Sequence, residues 1–440
     1  MKSIRSLLTT IMLLVFAGMT GALFAQYGIN YFRPYDQNGI NVFEAPKYNT
    51  SGFEGLKVRI GGSFTQQFQS LKHENAATPN IVDGKNLNEL YSLGPGFNLA
   101  TANLVLDVQL DDGIRLTVES YMSSRHHQEF WVKGGYIQID KLPMLGNPDW
   151  FADNLRVKIG HFQVNYGDQQ FRRTDNGNAM YNPFVGNYIM DAFATEIGGE
   201  VYLFATPNIV GMIGMTSGII NGDVSDSEKA PSVYGKISYD NQITSDLRFR
   251  LSGSIYHNGN SARNTLYSGD RAGSRFYMAM APAFVVPRGS TVPVATTAAD
   301  QFTTGRVSPD FTNEVTSIQF NPFLKYKGLE FFGTLEMASG NNSRESSSRD
   351  VTQVGAELLY RFAPREQLYV GGRYNSLSGE FLGQDDASVS RVEVAAGWHT
   401  TKNILLKIAY VDQKYKDFAS SNLYHLGQFN GLMIEAVVGF

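Results

Sequence analysis

Residues 100–119 read ATANLVLDVQLDDGIRLTVE, and this stretch decides the fold. Its even-numbered positions up to Leu110 are all apolar, whereas the odd-numbered positions are mostly polar. Asp111-Asp112-Gly113 favours a tight turn, and the apolar series resumes at Ile114. Apolar side chains at every second position are typical of a β-strand with one apolar and one polar face. The stretch therefore predicts a β-hairpin.

The same alternation recurs along the chain, in Asp246–Tyr256, Ile404–Tyr410 and Leu432–Phe440. Strands of outer-membrane barrels have this pattern because one face meets lipid and the other meets water. The composition agrees, since charged residues make up 18% of the chain, Cys is absent, and aromatics and Gly are abundant. Soluble domains carry about 25% charged residues. We predict an all-β fold, a transmembrane antiparallel up-and-down β-barrel of 16–18 strands.

The first 25 residues are predicted to be a targeting segment. Lys2 and Arg5 form a positive start, Leu7–Phe16 is apolar except for Thr9 and Thr10, and small residues follow up to Ala25. This order is typical of a secretory signal peptide, with cleavage after Ala25 or, alternatively, after Ala22. A membrane anchor is the other interpretation, but the apolar part is too short to span a bilayer.

Connections between the predicted strands alternate between short and long, as in outer-membrane barrels. Val164–Phe193 and Leu377–Ser388 are among the long ones, and Asp140–Asn154 is predicted to hold a small helix. We count seventeen clear strands, and the alternation requires a hidden eighteenth near Thr291–Thr297. A count of sixteen remains open if two weak strands are one bent strand.

The segment Gln26–Gly55 does not alternate and is rich in Tyr, Asn, Pro and Gly. It could be a periplasmic tail, a plug, or a lip packed on the barrel wall. The predicted organisation is thus a signal peptide (1–25), an irregular N-terminal segment (26–55) and the barrel (56–440).

The chain ends on an alternating apolar strand whose last residue is Phe440. A terminal aromatic of this kind resembles the signal by which the barrel-assembly machinery recognises its clients. We therefore expect that machinery, and outer-membrane lipid, to be partners of this chain.

Residues 157–167 read VKIGHFQVNYG. This stretch resembles the Ile-Gly-Gln-Phe-Lys-Val-Pro-Phe-Gly type of motif in the phosphate-selective porin O/P family and its relatives in Bacteroidota. His161, Gln163 and Asn165 depart from that motif. The resemblance implies a water-filled porin, usually trimeric, for small anionic or neutral hydrophilic solutes, and it makes a phosphate-like anion preference a hypothesis.

Four dibasic pairs at i,i+2 are predicted to face the lumen near the periplasmic mouth. Inward-facing polar residues tune the selectivity of a barrel channel, so these pairs could form a basic ring. The alternative is a set of solvated charges without a functional role. The eight residues are Lys57, Arg59, Arg156, Lys158, Arg248, Arg250, Lys325 and Lys327.

The long connection Val164–Phe193 carries Arg172 and Arg173 beside Asp168 and Asp175. A long loop early in a porin often folds into the lumen, so we predict that the two arginines lie at a constriction. A solvated surface loop is the alternative.

The sequence gives no sign of catalysis, of a cofactor or of a bound metal. His126 and His127 precede Glu129, but adjacent residues rarely both reach one ion. No phosphate-binding loop or nucleophile elbow is present. A formal net charge of −4 argues against binding of nucleic acid.

Three functions are compatible with a barrel of this kind. The leading interpretation is a diffusion porin, which would conduct alone. The second is an accessory or anchoring barrel in an outer-membrane complex, which would co-purify with its partner and conduct poorly. The third is a hydrolase built on the barrel rim, but such enzymes usually use smaller barrels with a filled interior.

Overall fold

Among the described residues, sixteen long antiparallel strands form one closed wall, and the two-residue strand Gly96–Phe97 pairs with the first of them. The structure is a computed structural model and describes residues 29–47, 52–125, 129–220, 222, 224, 228–269 and 275–440. The predicted signal peptide lies outside these residues. The strands are β1 (Lys57–Glu74), β2 (Thr101–Asp111), β3 (Ile114–Ser123), β4 (Phe130–Ile139), β5 (Leu155–Gln163), β6 (Thr195–Thr206), β7 (Ile209–Thr216), β8 (Ser232–Gln242), β9 (Leu247–Asn258), β10 (Glu314–Tyr326), β11 (Leu329–Asn341), β12 (Arg349–Phe362), β13 (Leu368–Phe381), β14 (Gln384–Thr401), β15 (Ile404–Lys416) and β16 (Gln428–Gly439).

The first and last strands close the barrel. β1 pairs with β16 from Ser63 opposite Gly439 to Glu74 opposite Gln428. Phe440 continues this pairing, because its backbone N–H and carbonyl both hydrogen-bond to Gly62 at 3.1 Å. The closed sheet leaves no strand edge among the wall strands, as a bilayer requires.

The strand count settles at sixteen, so the predicted seventeenth and eighteenth strands are wrong. The region of the hidden strand forms a small hairpin instead, in which Phe284–Val285 pairs with Val294–Ala295 outside the wall. Pro293 lies just before Val294 and cannot donate a ladder hydrogen bond, which disfavours a wall strand there.

Short turns lie at one end of the barrel, called here the turn end, and longer connections lie at the other, the loop end. The exception at the turn end is residues 140–154, which hold the predicted small helix, α1 (Asp149–Asn154). The expected long connection at Leu377–Ser388 is wrong. β13 and β14 extend until only two residues separate them, and Gly383 turns the chain with φ 64°.

The two faces of the wall differ as the alternation predicts. On β15, Leu406 and Ile408 point outward and are 40% and 45% exposed, whereas Lys407 between them is buried in the lumen. Trp398 and Tyr410 are about half exposed on the outer face and flank this apolar band. Among the described residues, no helix has the length and apolarity needed to span a bilayer.

The lumen is largely filled by chain. Residues 164–194, between β5 and β6, fold into it, and Phe184, Val185 and Ile189 there are fully buried. Residues 29–47 cover the lumen at the turn end. Part of the connection between β9 and β10 enters at the loop end, where Leu266 and Phe276 are fully buried.

A lysine at Ile408 should destabilise the barrel, because it would place a charge within the lipid-facing band. We expect Ile408→Lys to lower the unfolding free energy by about 2–4 kcal/mol, the cost of a cation at the bilayer midplane. Ile404→Lys, on the same face at the start of β15, should cost about 0–1 kcal/mol. Equal losses in urea unfolding of the two variants in lipid vesicles would contradict this placement of the band.

Candidate functional site

Residues 29–47, here called the belt segment, lie across the turn end of the lumen. At one side, the backbone N–H of Gln37 donates to the carbonyl of Lys402 at 2.8 Å, and the Lys402 ammonium lies 3.4 Å from Asp36. At the opposite side, the Lys47 ammonium donates to the carbonyl of Leu155 and lies 3.3 Å from Asp140. The segment therefore spans the mouth from the β14–β15 turn to β5.

All eight residues of the predicted basic ring are ion-paired. The pairs, with their N–O distances, are Lys57–Glu54 2.9 Å, Arg59–Asp107 3.6 Å, Arg156–Asp140 2.8 Å, Lys158–Glu200 3.5 Å, Arg248–Asp240 2.6 Å, Arg250–Asp168 2.8 Å, Lys325–Glu366 2.6 Å and Lys327–Asp246 3.7 Å. Lys327 lies in the β10–β11 turn with 63% of its side chain exposed, not on the lumenal wall. A ring of paired charges has a much weaker field than the free ring that the sequence suggested.

Four arginines of this set hold the belt segment. Arg59 lies over the ring of Phe32 at 4.4 Å, and Arg156 donates to the carbonyls of Ala45 and Pro46 at 2.7 and 2.9 Å. Arg248 donates to the carbonyl of Asn41 at 3.0 Å, and Arg250 pairs with Glu44 at 2.8 Å.

Glu44 is the charged anchor of the belt segment. Besides Arg250, Lys236 lies 2.9 Å from its carboxylate. Burial by itself would raise the pKa of Glu44, but the charges of Arg250 and Lys236 outweigh burial and lower the pKa to about 2. Next to it, Phe43 is 3% exposed and packs against Phe323 at 5.4 Å between ring centroids.

Residues 164–194, here called the lumen loop, cross the barrel at mid-height. Arg172 lies 2.7 Å from Glu330 on β11 and 2.9 Å from Glu357 on β12. Arg173 donates to Asp191 of the same loop at 2.8 Å. Both arginines are buried inside the barrel, where their ion pairs fix the loop, and Arg173 also lines the cavity described below.

The rest of the lumen loop is tied to strands all round the wall. Its carbonyls at Ala179, Asn182 and Phe184 accept from the Lys407 ammonium of β15 at 3.0–3.1 Å. On another side, the backbone N–H of Asp168 donates to Asn321 on β10 at 2.8 Å. The backbone N–H of Ile189 donates to Asn375 on β13 at 2.6 Å. Wall side chains thus supply the hydrogen-bond partners that an irregular backbone needs inside a barrel.

A cavity remains between the lumen loop and one side of the wall. It has a volume of about 240 Å³ and is lined by β2 to β6, the lumen loop and the belt segment. A second cavity of about 180 Å³ shares Glu119, Lys133 and Lys158 with it and reaches Thr195 at the loop end of β6. The two cavities share these lining residues and are together called here the wall cavity.

The charges of the wall cavity are mixed. Lys133 lies 2.9 Å from Glu119 and also contacts Asp175, so its charge is balanced. Arg33 and Arg115 also line the cavity. Unlike Lys133, they form no ion pair with a carboxylate of the described residues. The wall cavity therefore carries two guanidinium groups that no contacting carboxylate neutralises among the described residues.

Arg33 and Arg115 are held by neutral groups. Arg33 donates to the carbonyls of Gly39 and Phe171 and lies 3.6 Å from the centre of the Tyr181 ring. Burial lowers the pKa of Arg33 to about 10, so it stays charged at neutral pH. Arg115 donates to Gln138 at 3.1 Å, and its Nε has no hydrogen-bond partner.

The sequence reasoning missed Arg33 and Lys133 as cations of the cavity, and it did not single out Arg115, although parity turns Arg115 inward between Ile114 and Leu116. Lys133 lies at a bulge, where Glu119 pairs with Gly134 and Ser120 with Val132, so parity does not predict its direction. Arg33 gave no signal, since the belt segment has no periodicity. His126 and His127 lie outside the described residues. Within the described part of the chain, no cluster of three or more potential metal ligands is found.

No protein-family model matches the chain, and no curated protein matches it. Its fold is similar to that of the anion-selective porin from Comamonas acidovorans, with a TM-score of 0.52 and 10% identity over 88% of this chain and 100% of that one. The outer membrane channel DcaP of Acinetobacter baumannii gives 0.50 and 10% over 89% and 99%. OmpT of Vibrio cholerae in its trimer form gives 0.50 and 11% over 88% and 100%.

At these identities the similarity shows the fold alone. The closed sixteen-strand wall with its outer apolar band defines a porin-like channel fold of the Gram-negative outer membrane. The resemblance to the phosphate-selective porin O/P family stays a prediction.

Removing Arg172 should loosen the lumen loop. We expect Arg172→Met to lower the unfolding free energy by about 1.5–3 kcal/mol, because buried Glu330 and Glu357 each lose one cation but keep Arg361 and Arg373. Lys325→Met is the matched control and should cost less than about 1 kcal/mol, since its partner Glu366 is exposed. Both losses are measured as the temperature at which half of the barrel has shifted from folded to unfolded mobility on a gel. Equal midpoint temperatures for the two variants would contradict a fixing role for Arg172.

Proposed function

We propose that this protein is a porin that passes small hydrophilic solutes along the wall cavity. The observation that carries the proposal is a polar space running beside β2 to β6 within a closed outer-membrane barrel. The lumen loop and the belt segment fill the rest of the cross-section, so only small solutes fit. Side chains in such a space tune selectivity at close range.

The preference for anions is assigned to Arg33 and Arg115. They are the cavity cations without a carboxylate partner among the described residues, whereas the eight predicted ring residues are paired. The motif that resembles the phosphate-selective porin O/P family supplies Lys158, Gln163 and Asn165 to the cavity lining. Small anions, with phosphate as one probe, and small neutral solutes are the proposed substrates.

Current through the purified barrel in planar bilayers tests this proposal. Under a salt gradient, we expect steady conductance steps and a reversal potential of anion-preferring sign. Arg33→Gln with Arg115→Gln should lower the anion-to-cation permeability ratio about fivefold, as expected when about 1 kcal/mol of attraction is lost. Lys416→Gln is the control, because it removes an exposed charge at the loop end, and it should leave the permeability ratio unchanged. An unchanged ratio in the double variant would refute the assignment.

The filled lumen favours one alternative, an accessory or anchoring barrel. In that case correctly folded protein would be silent in bilayers and would co-purify with a partner in fixed stoichiometry. The measured mass of the purified complex also tests the proposed homotrimer, an assembly suggested by the trimer form of OmpT from Vibrio cholerae.

For biogenesis, we propose export by the signal peptide 1–25 and recognition of Phe440 by the barrel-assembly machinery. The Phe440 side chain is 49% exposed on the outer face, so it is accessible to that machinery.

Replacing the terminal aromatic tests the assembly signal. We expect Phe440→Asp to reduce assembled barrel in the outer membrane several-fold, whereas Phe440→Tyr keeps the ring and should assemble normally. The amount of heat-modifiable protein in outer-membrane fractions gives the answer. Refolding of purified Phe440→Asp in detergent separates recognition from stability, because a variant that cannot refold there has lost stability rather than a signal.

A further inference from the structure

The belt segment is attached to the barrel in a different way from every wall strand. Wall strands are joined by continuous backbone ladders, such as the twelve paired positions between β1 and β16. Among the described residues, the belt segment makes one direct backbone hydrogen bond to the barrel, from Gln37 to Lys402. Its other contacts are side-chain ion pairs, side-chain hydrogen bonds to carbonyls and aromatic packing. It can therefore leave without breaking the sheet.

The belt segment is also the part of the chain that closes the turn end of the wall cavity. At the turn end, the cavity is lined by Phe32, Arg33, Tyr35 and Glu44 of this segment. Its contacts are mostly polar, and the groups it would uncover are charged side chains that water solvates well. The segment also buries apolar side chains, since Tyr31 and Phe43 are 4% and 3% exposed and Ile40 packs against the core. Phe43 is the main apolar anchor, through its contact with Phe323.

Displacement of the belt segment would change the electrostatics of the mouth. Arg250 would lose Glu44, and Arg59, Arg156 and Arg248 would lose their aromatic or carbonyl contacts. These arginines keep their wall carboxylates but gain exposure to water. The turn end of the passage would then be wide and lined by guanidinium groups.

We propose that residues 29–47 are a displaceable plug that closes the turn end of the barrel. Its release opens the wall cavity and uncovers the four arginines that hold it, which are Arg59, Arg156, Arg248 and Arg250. This inference rests on the proposed porin function, since the plug regulates the same passage.

An engineered disulfide tests the plug. The chain has no Cys, and the Gln37–Lys402 backbone hydrogen bond of 2.8 Å brings the two residues close enough for a disulfide. Oxidised Q37C/K402C should remain in a low-conductance state, and a reductant should restore openings of several-fold higher conductance. A230C/N260C links two loop-end segments across a backbone hydrogen bond of equal length and is the control, with no response to reductant. Equal conductance of oxidised and reduced Q37C/K402C would overturn the proposal.

A labelling experiment gives an answer that does not depend on conduction. Tyr31→Cys in the belt segment should react with a charged thiol reagent in the folded barrel, because Tyr31 is 4% exposed and does not line the wall cavity, so release is what exposes it. Leu377→Cys is fully buried and should stay protected. If the two cysteines react equally slowly, the belt segment is static and the proposal fails. If Tyr31→Cys reacts but no variant conducts, the plug stands and the porin function fails.

Discussion

Closure of the backbone hydrogen-bond network is the constraint on which the rest of this structure depends. A bilayer offers no partner to a free N–H or carbonyl, so each wall strand must pair on both sides. The pairing of β1 with β16 satisfies this requirement for the last two edges. Once the sheet is closed, alternate side chains must face lipid and lumen, which explains the exposed Ile408 and the buried Lys407 one residue apart.

The second constraint is the cost of charges in a crowded lumen. Chain fills most of the interior, so inward charges are shielded from water and need partners nearby. The lumen loop and the belt segment supply many of these partners: Arg172 neutralises Glu330 and Glu357, and Glu44 neutralises Lys236 and Arg250. Filling the lumen and pairing its charges are therefore one structural solution, which leaves the wall cavity as the proposed route for solutes.

These two constraints assign different roles to the two inserted segments. The lumen loop is bound to strands on all sides, from Asn321 of β10 to Lys407 of β15, and so behaves as part of the barrel. Among the described residues, the belt segment has one backbone-to-backbone hydrogen bond to the wall, and wall side chains at the turn end hold the rest of it. In the proposed porin, the lumen loop would shape the passage of solutes and the belt segment would regulate it.

The sequence by itself determined the wall: the period of two, the turns, the small helix at Asp149 and the class of barrel follow from local patterns. It also indicated which cations face inward, because parity depends only on neighbours in the chain. Only the tertiary structure decided what those cations do. Arg172 meets Glu357, 185 residues away, and Arg250 meets Glu44, 206 residues away, and no local pattern encodes such partners. For the same reason the belt segment, which has no periodicity, acquired a position only when the closed barrel supplied its binding surface.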